Sequence, residues 1–149
     1  MKHRPVTYEA DLLDKLEVEH QGLLSQFKSL CQACDRGNQD EAYSILGLFN
    51  TMLIEHFVHE DYKLYPYLLQ QRRNSAERIR SMHDEMMNIE VDIRKLVKKY
   101  DISSQYISPE EMQKNWQFIG KSLEIIGLLL KERIHREELC LYPLYRDCR

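Results

Sequence analysis

Apolar residues recur at alternating steps of three and four through four long stretches of the chain. The first stretch carries Leu13, Leu16, His20, Leu23, Phe27 and Leu30, and the second Ala42, Ile45, Phe49, Met52, His56, Glu60, Lys63 and Tyr67. The third reads Ile79, His83, Met86, Ile93, Leu96 and Tyr100 with one step skipped, and the fourth Trp116, Ile119, Leu123, Ile126, Leu130, Arg133, Glu137, Cys140 and Leu144. That spacing keeps one side of an α-helix facing a core. Polar stretches separate the four. Thr7 is the N-cap expected for a helix over 8–35, which stops in DRGNQ. Asn38 with Glu41 forms a capping pair for 40–71, Asn74 or Ser75 caps 75–100, and Ser108-Pro109-Glu110-Glu111 opens 109–145. Short connections make consecutive helices antiparallel, so the pattern predicts an all-α, up-down-up-down four-helix bundle in a single domain over 1–149.

Composition narrows the function. The chain of 149 residues has only five Gly and four Pro, as long helices require. A net charge of -3 supplies no basic surface for phosphate contacts, which argues against direct nucleic-acid binding. The segment MKHRPVTYEADLLDKL lacks the apolar run of a signal peptide, and the longest candidate elsewhere, IIGLLL, is far too short to span a membrane. Cys31, Cys34, Cys140 and Cys148 read as reduced thiols of a cytoplasmic protein, with no second CxxC or His pair to complete a zinc set around Cys31 and Cys34.

The chemistry lies in the polar residues on the apolar stripes. His20, His56, Glu60, His83, Arg133 and Glu137 all fall in phase with the core, at least one on every helix. Buried there they need partners, because an isolated buried charge costs several kcal/mol or more. His20 and His56 lie about 17 residues either side of the first turn, which at 1.5 Å per residue sets them opposite each other. Imidazoles and carboxylates converging inside a bundle are a ligand set for iron or manganese. Two neighbours are off the stripe: His59 points to solvent, and His135 sits roughly 200° around the helix from Arg133. Near the end of helix two, HFVHEDYKLYP is echoed late in helix four by RIHREELCLYP, with Arg133 where the first copy has His56.

The Glu19-His20 doublet, HFxxE with LYP on helix two, a His on helix three and E-E-x-x-LYP on helix four together resemble the hemerythrin-like, or HHE cation-binding, family over nearly the whole chain. The resemblance implies a four-helix domain that binds non-haem iron, one or two ions, for O2, NO or redox sensing or for iron handling. It implies His20 and His56 on one metal, Glu60 and Glu137 as bridging carboxylates, and His83 on the other metal. His135 and Glu138 are further candidate ligands. The likeness is incomplete on one side: Met87 stands where such proteins have a second helix-three His, and Arg133 replaces another His.

ERIHREELCL is also similar to the ERFxxEDxL stretch of regulator-of-sigma-D proteins, four-helix anti-sigma factors. That resemblance implies a metal-free alternative that binds a sigma factor in transcription regulation, with Arg133 contacting Glu60 or Glu137 in place of a metal. Neither reading makes the protein an enzyme: no nucleophile with its base and no phosphate-binding Gly loop is present.

Overall fold

The computed structural model describes residues 5–71, 75–106 and 109–147. Asn74, Ser108 and Cys148, and the side chains of Leu96 and Tyr100, lie outside the described residues. The chain forms an all-α four-helix bundle. Helix α1 is Leu12–Asp35. Helix α2 is Gln39–His59, continued by a π-helical turn, Glu60–Leu64, and a last α-helical piece, Tyr65–Gln70. Helix α3 is Ala76–Tyr106. Helix α4 is Pro109–Arg136, followed by a second π turn, Glu137–Leu141, and Tyr142–Arg146. Packing runs cyclically, α1 on α2, α2 on α3, α3 on α4 and α4 on α1.

Local chemistry accounts for the corners. At the end of α1, Gly37 adopts φ 71°, and Asn38 N–H reaches Ala33 O at 3.0 Å while Gly37 N–H reaches Cys34 O at 3.0 Å. These two bonds are a Schellman stop, which favours glycine at the left-handed position. Asn38 then caps α2 by accepting from Glu41 N–H at 3.1 Å, and Arg36 clamps the same glutamate through both oxygens. Ser75 Oγ accepts from Arg78 N–H at 3.3 Å and so caps α3. Thr7 is not a cap. Residues before α1 are non-helical, turning at 10–11, and close the end of the bundle: Val6 exchanges hydrogen bonds with Gln70, and Tyr8 stacks on Tyr145 at 4.8 Å.

The core has two apolar compartments. One, nearer the α1–α2 corner, is built on residues such as Phe27, Phe49, Leu53, Met86, Trp116 and Leu130. The other gathers Leu12, Leu16, Leu64, Leu68, Ile79, Met82, Leu141 and Tyr142 at the opposite end. Between Leu16 and Leu23 on α1, Leu53 and Leu64 on α2, and Ile134 and Leu141 on α4 lies a buried polar layer: His20, His56, Glu60 and Glu137. Burying two carboxylates between two apolar clusters is unfavourable unless something compensates them.

The buried stripes differ from the expected ones in instructive places. On α3 the sequence runs Ile79, Met82, Met86, Ile89, Ile93, with His83 displaced to the edge. On α4 it is Ile134, not Arg133, that follows Leu130 inward. Residues three and four along both fit a helical stripe, and the apolar one takes the core because burying it needs no partner. Beyond Glu60 and Glu137 the inward positions are Leu64 and Leu141 rather than Lys63 and Cys140, and Tyr145 is buried more fully than Leu144. Both shifts fall within or just past the π turns, which insert an extra residue per turn.

Candidate metal centre

His20 comes from α1, His56 and Glu60 from one turn of α2, and Glu137 from α4. Each is about 1% exposed, and one donor atom from each of the four lies within 4.8 Å of the others. The imidazoles are tilted together with ring centroids 4.6 Å apart. Each ring is held from behind. His56 Nδ1 lies 2.7 Å from Glu19 Oε1, and His20 Nδ1 lies 3.2 Å from Glu138 Oε1. With Nδ1–H donated outward, a neutral ring turns its Nε2 lone pair to the interior. This carboxylate–imidazole arrangement is the one that orients metal-binding histidines.

The inward atoms face one another without satisfying one another. His56 Nε2 is 3.0 Å from Glu60 Oε1 with no hydrogen bond between them, and His20 Nε2 is 3.3 Å from Glu137 Oε1. His56 Nε2, Glu60 Oε1 and Glu137 Oε1 are all buried and lack any hydrogen-bond partner. Lone pairs aimed at lone pairs in a buried layer call for a cation. The spacings suit one: metal–ligand distances of about 2.1 Å give neighbouring donors about 3.0 Å apart around an octahedron and about 3.4 Å around a tetrahedron. Two imidazoles with two carboxylates form a borderline donor set suited to iron, manganese or zinc. The residues present therefore fit a metal ion.

Protonation is the alternative way to relieve the layer. Burial pushes the Glu60 carboxyl up to about 7. Burial, reinforced by the Glu60 charge, pushes Glu137 up to about 8. Glu19 behaves oppositely: burial works against its charge, but hydrogen bonds from His56 and His59 outweigh that and hold its carboxyl below the ordinary range. Two tyrosines complete the layer. Tyr65 O–H donates to Glu137 Oε2 at 3.2 Å, and Tyr142 O–H lies 3.4 Å from Glu60 Oε2 and 3.1 Å from His20 Nε2.

The remaining expected residues lie elsewhere. His83, 32% exposed, directs Nε2 to Asp61 Oδ1 at 2.5 Å and meets the Tyr65 ring edge-on, so it does not join the cluster. Arg133 does not contact Glu60 or Glu137; it crosses to α3 and pairs with Glu85 at 2.8 Å, alongside Arg136 at 3.2 Å. His135 is exposed, and Glu138 supports His20 from outside the cluster. His59 is off the stripe as its phase requires, yet it is tied by Nδ1 to Glu19 Oε2 at 2.5 Å. Glu19, Asp61, Tyr65 and Tyr142 were not singled out as site residues from sequence. The signals available were the Glu19-His20 doublet and the Tyr of each LYP.

Cys31, Cys34 and Cys140 are free thiols, and burial pushes Cys34 up to about 11, so it is not activated. No comparison supports the likeness to anti-sigma proteins. Neither the curated proteins nor the solved structures returned a match. A family match covers residues 11–146 and is described as the hemerythrin HHE cation binding domain. Four helices, a buried His/Glu layer able to hold a metal and this match over nearly the whole chain agree: the chain belongs to the hemerythrin HHE cation-binding family.

Proposed function

We propose that the protein is a cytoplasmic, non-haem iron protein that senses O2, NO or redox state or takes part in iron handling, as a binding protein rather than an enzyme. The observation that carries this reading is the set of orphaned donors: His56 Nε2, Glu60 Oε1 and Glu137 Oε1, converging with His20 in a layer sealed by apolar clusters. When bound, the ion supplies Lewis acidity and redox chemistry. The chain's part is to hold two imidazoles by Glu19 and Glu138 and to exclude bulk water. The metal-free alternative needed Arg133 to neutralise Glu60 and Glu137, and Arg133 is engaged with Glu85 instead. Among the described residues no helix is long and apolar enough to cross a membrane.

The test is elemental analysis of protein purified from iron-supplemented cells and again after anaerobic reconstitution with Fe(II). Iron should be bound stoichiometrically, and it should be lost in His56→Ala. Protein that stays free of metal after reconstitution would refute the reading.

A further inference from the structure

The two copies of the Glu-x4-Tyr-Pro motif exchange hydrogen bonds across the bundle. Tyr65, on α2, donates to Glu137 of α4, while Tyr142, on α4, reaches Glu60 of α2. In both pairs the hydroxyl meets Oε2, and Oε1 is the atom left without a partner. A carboxylate that bridges two metal ions gives one oxygen to each. Here one oxygen of each carboxylate faces the imidazoles and the other lies within reach of a phenol: Tyr65 O–H donates to Glu137 Oε2 at 3.2 Å, and Tyr142 O–H, which His20 Nε2 also draws at 3.1 Å, lies 3.4 Å from Glu60 Oε2. Resting on the metal reading above, we propose that this centre takes a single metal ion, because the Tyr65 and Tyr142 hydroxyls occupy the carboxylate oxygens a second ion would need.

Two independent features of α3 and α4 agree. At the level of the cluster, α3 contributes Met82 and Met86 to its buried stripe, neither of them a donor for a hard or borderline cation. The α3 histidine, His83, is engaged with Asp61, and the Tyr65 ring stands against it at 4.7 Å. One turn before Glu137, Arg133 shares Glu85 with Arg136, so two guanidinium groups meet one carboxylate on the α3 side. That excess positive charge opposes a second cation. Displacing the phenols would also be unfavourable, since Tyr65 and Tyr142 are buried and would lose their acceptors. Loading one ion needs a smaller change: the Tyr142 O–H gives up His20 Nε2 and turns wholly to Glu60 Oε2.

The experiment counts metal in the full chain. Protein stripped by chelator is dialysed anaerobically against graded Mn(II), and separately Fe(II), and metal per chain is measured by mass spectrometry. One tight equivalent is expected. Two tight equivalents would overturn the single-ion inference while leaving the metal reading intact, whereas none would overturn both. The cause is tested in Tyr65→Phe/Tyr142→Phe, where both Oε2 atoms lose their caps and a second equivalent should appear. A folded double variant that still takes one equivalent would refute the role given to the hydroxyls. If circular dichroism shows that the double variant does not fold, Tyr65→Phe alone serves. It should bind a second ion at least ten-fold more tightly than wild type, and an unchanged second-ion affinity counts against the proposal.

Discussion

Replacing Glu137 with Gln separates the electrostatic cost of the buried layer from its metal chemistry. The amide keeps the shape of the side chain and an oxygen for the Tyr65 hydroxyl, but it cannot ionise. In metal-free wild type the Glu137 carboxyl is raised from 4.5 to about 8 by burial and the Glu60 charge. A raised carboxyl means that its contribution to stability is fully present below about pH 4.5 and is lost as pH rises through the folded value. Going from 4.5 to about 8, at about 1.4 kcal/mol per tenfold change in proton affinity, gives on the order of 5 kcal/mol. Glu60, raised to about 7, adds in the same direction. In the presence of chelator, Glu137→Gln should therefore match wild type within about 1 kcal/mol at pH 5 and exceed it by several kcal/mol at pH 9. Urea denaturation followed by circular dichroism measures this, and subtracting the variant from wild type cancels titrations elsewhere. With metal most of that gap at pH 9 should close. A ligand at a thousand times its Kd stabilises the native state by about 4 kcal/mol, and the variant has lost one of the donors that would hold it. A chelated wild type that is no less stable than the variant at pH 9 would show that Glu137 does not carry a buried charge, and the case for a cation would lose its main support.

Two further predictions concern residues around the cluster. Glu19→Gln removes the charged acceptor behind His56 and His59. Metal affinity measured by chelator competition should fall about 10- to 100-fold with little change in the melting of the metal-free protein, and an unchanged affinity would deny Glu19 a positioning role. At Gly127 an added Cβ would run into the Phe27 ring, whereas at Gly47 it would meet open space. Gly127→Ala should destabilise by about 1–3 kcal/mol, while Gly47→Ala should stabilise by up to about 1 kcal/mol. Equal urea midpoints for the two variants would contradict the close approach of α1 to α4.

The four helices were legible because each carries a long three-four stripe and because Asn38 and Ser75 act as the caps their chemistry suggests. His20, His56, Glu60 and Glu137 were legible for the same reason: polar groups in phase with a core stand out. Where the stripe offered two candidates one residue apart, phase could not choose. His83 against Met82 and Arg133 against Ile134 are both such cases, and in both the apolar residue is inside. Reading by phase alone favoured the chemically interesting residue. The free energy of burial favours the other unless a partner already waits for it. Glu19 escaped notice because it makes its contact across to α2, which its position beside His20 does not reveal.

The tyrosines escaped for a different reason, which is the origin of the centre's form. In an α-helix, residues five apart are roughly 140° from facing the same way, so Glu60 with Tyr65 and Glu137 with Tyr142 should point to different sides. Each pair is followed by a proline, Pro66 or Pro143, which lacks a backbone N–H and crowds the carbonyl four residues before it. In both helices the chain widens into a π turn instead of breaking, with Tyr65 N–H bonded to Glu60 O and Tyr142 N–H bonded to Glu137 O. The wider turn brings glutamate and tyrosine of each copy to the same interior. Because α2 and α4 both carry it, each tyrosine finds the other helix's glutamate. The prolines thus act at a distance on the carboxylates: they set the turn, the turn turns the phenols inward, and the phenols fix which oxygen of each glutamate is left for a metal.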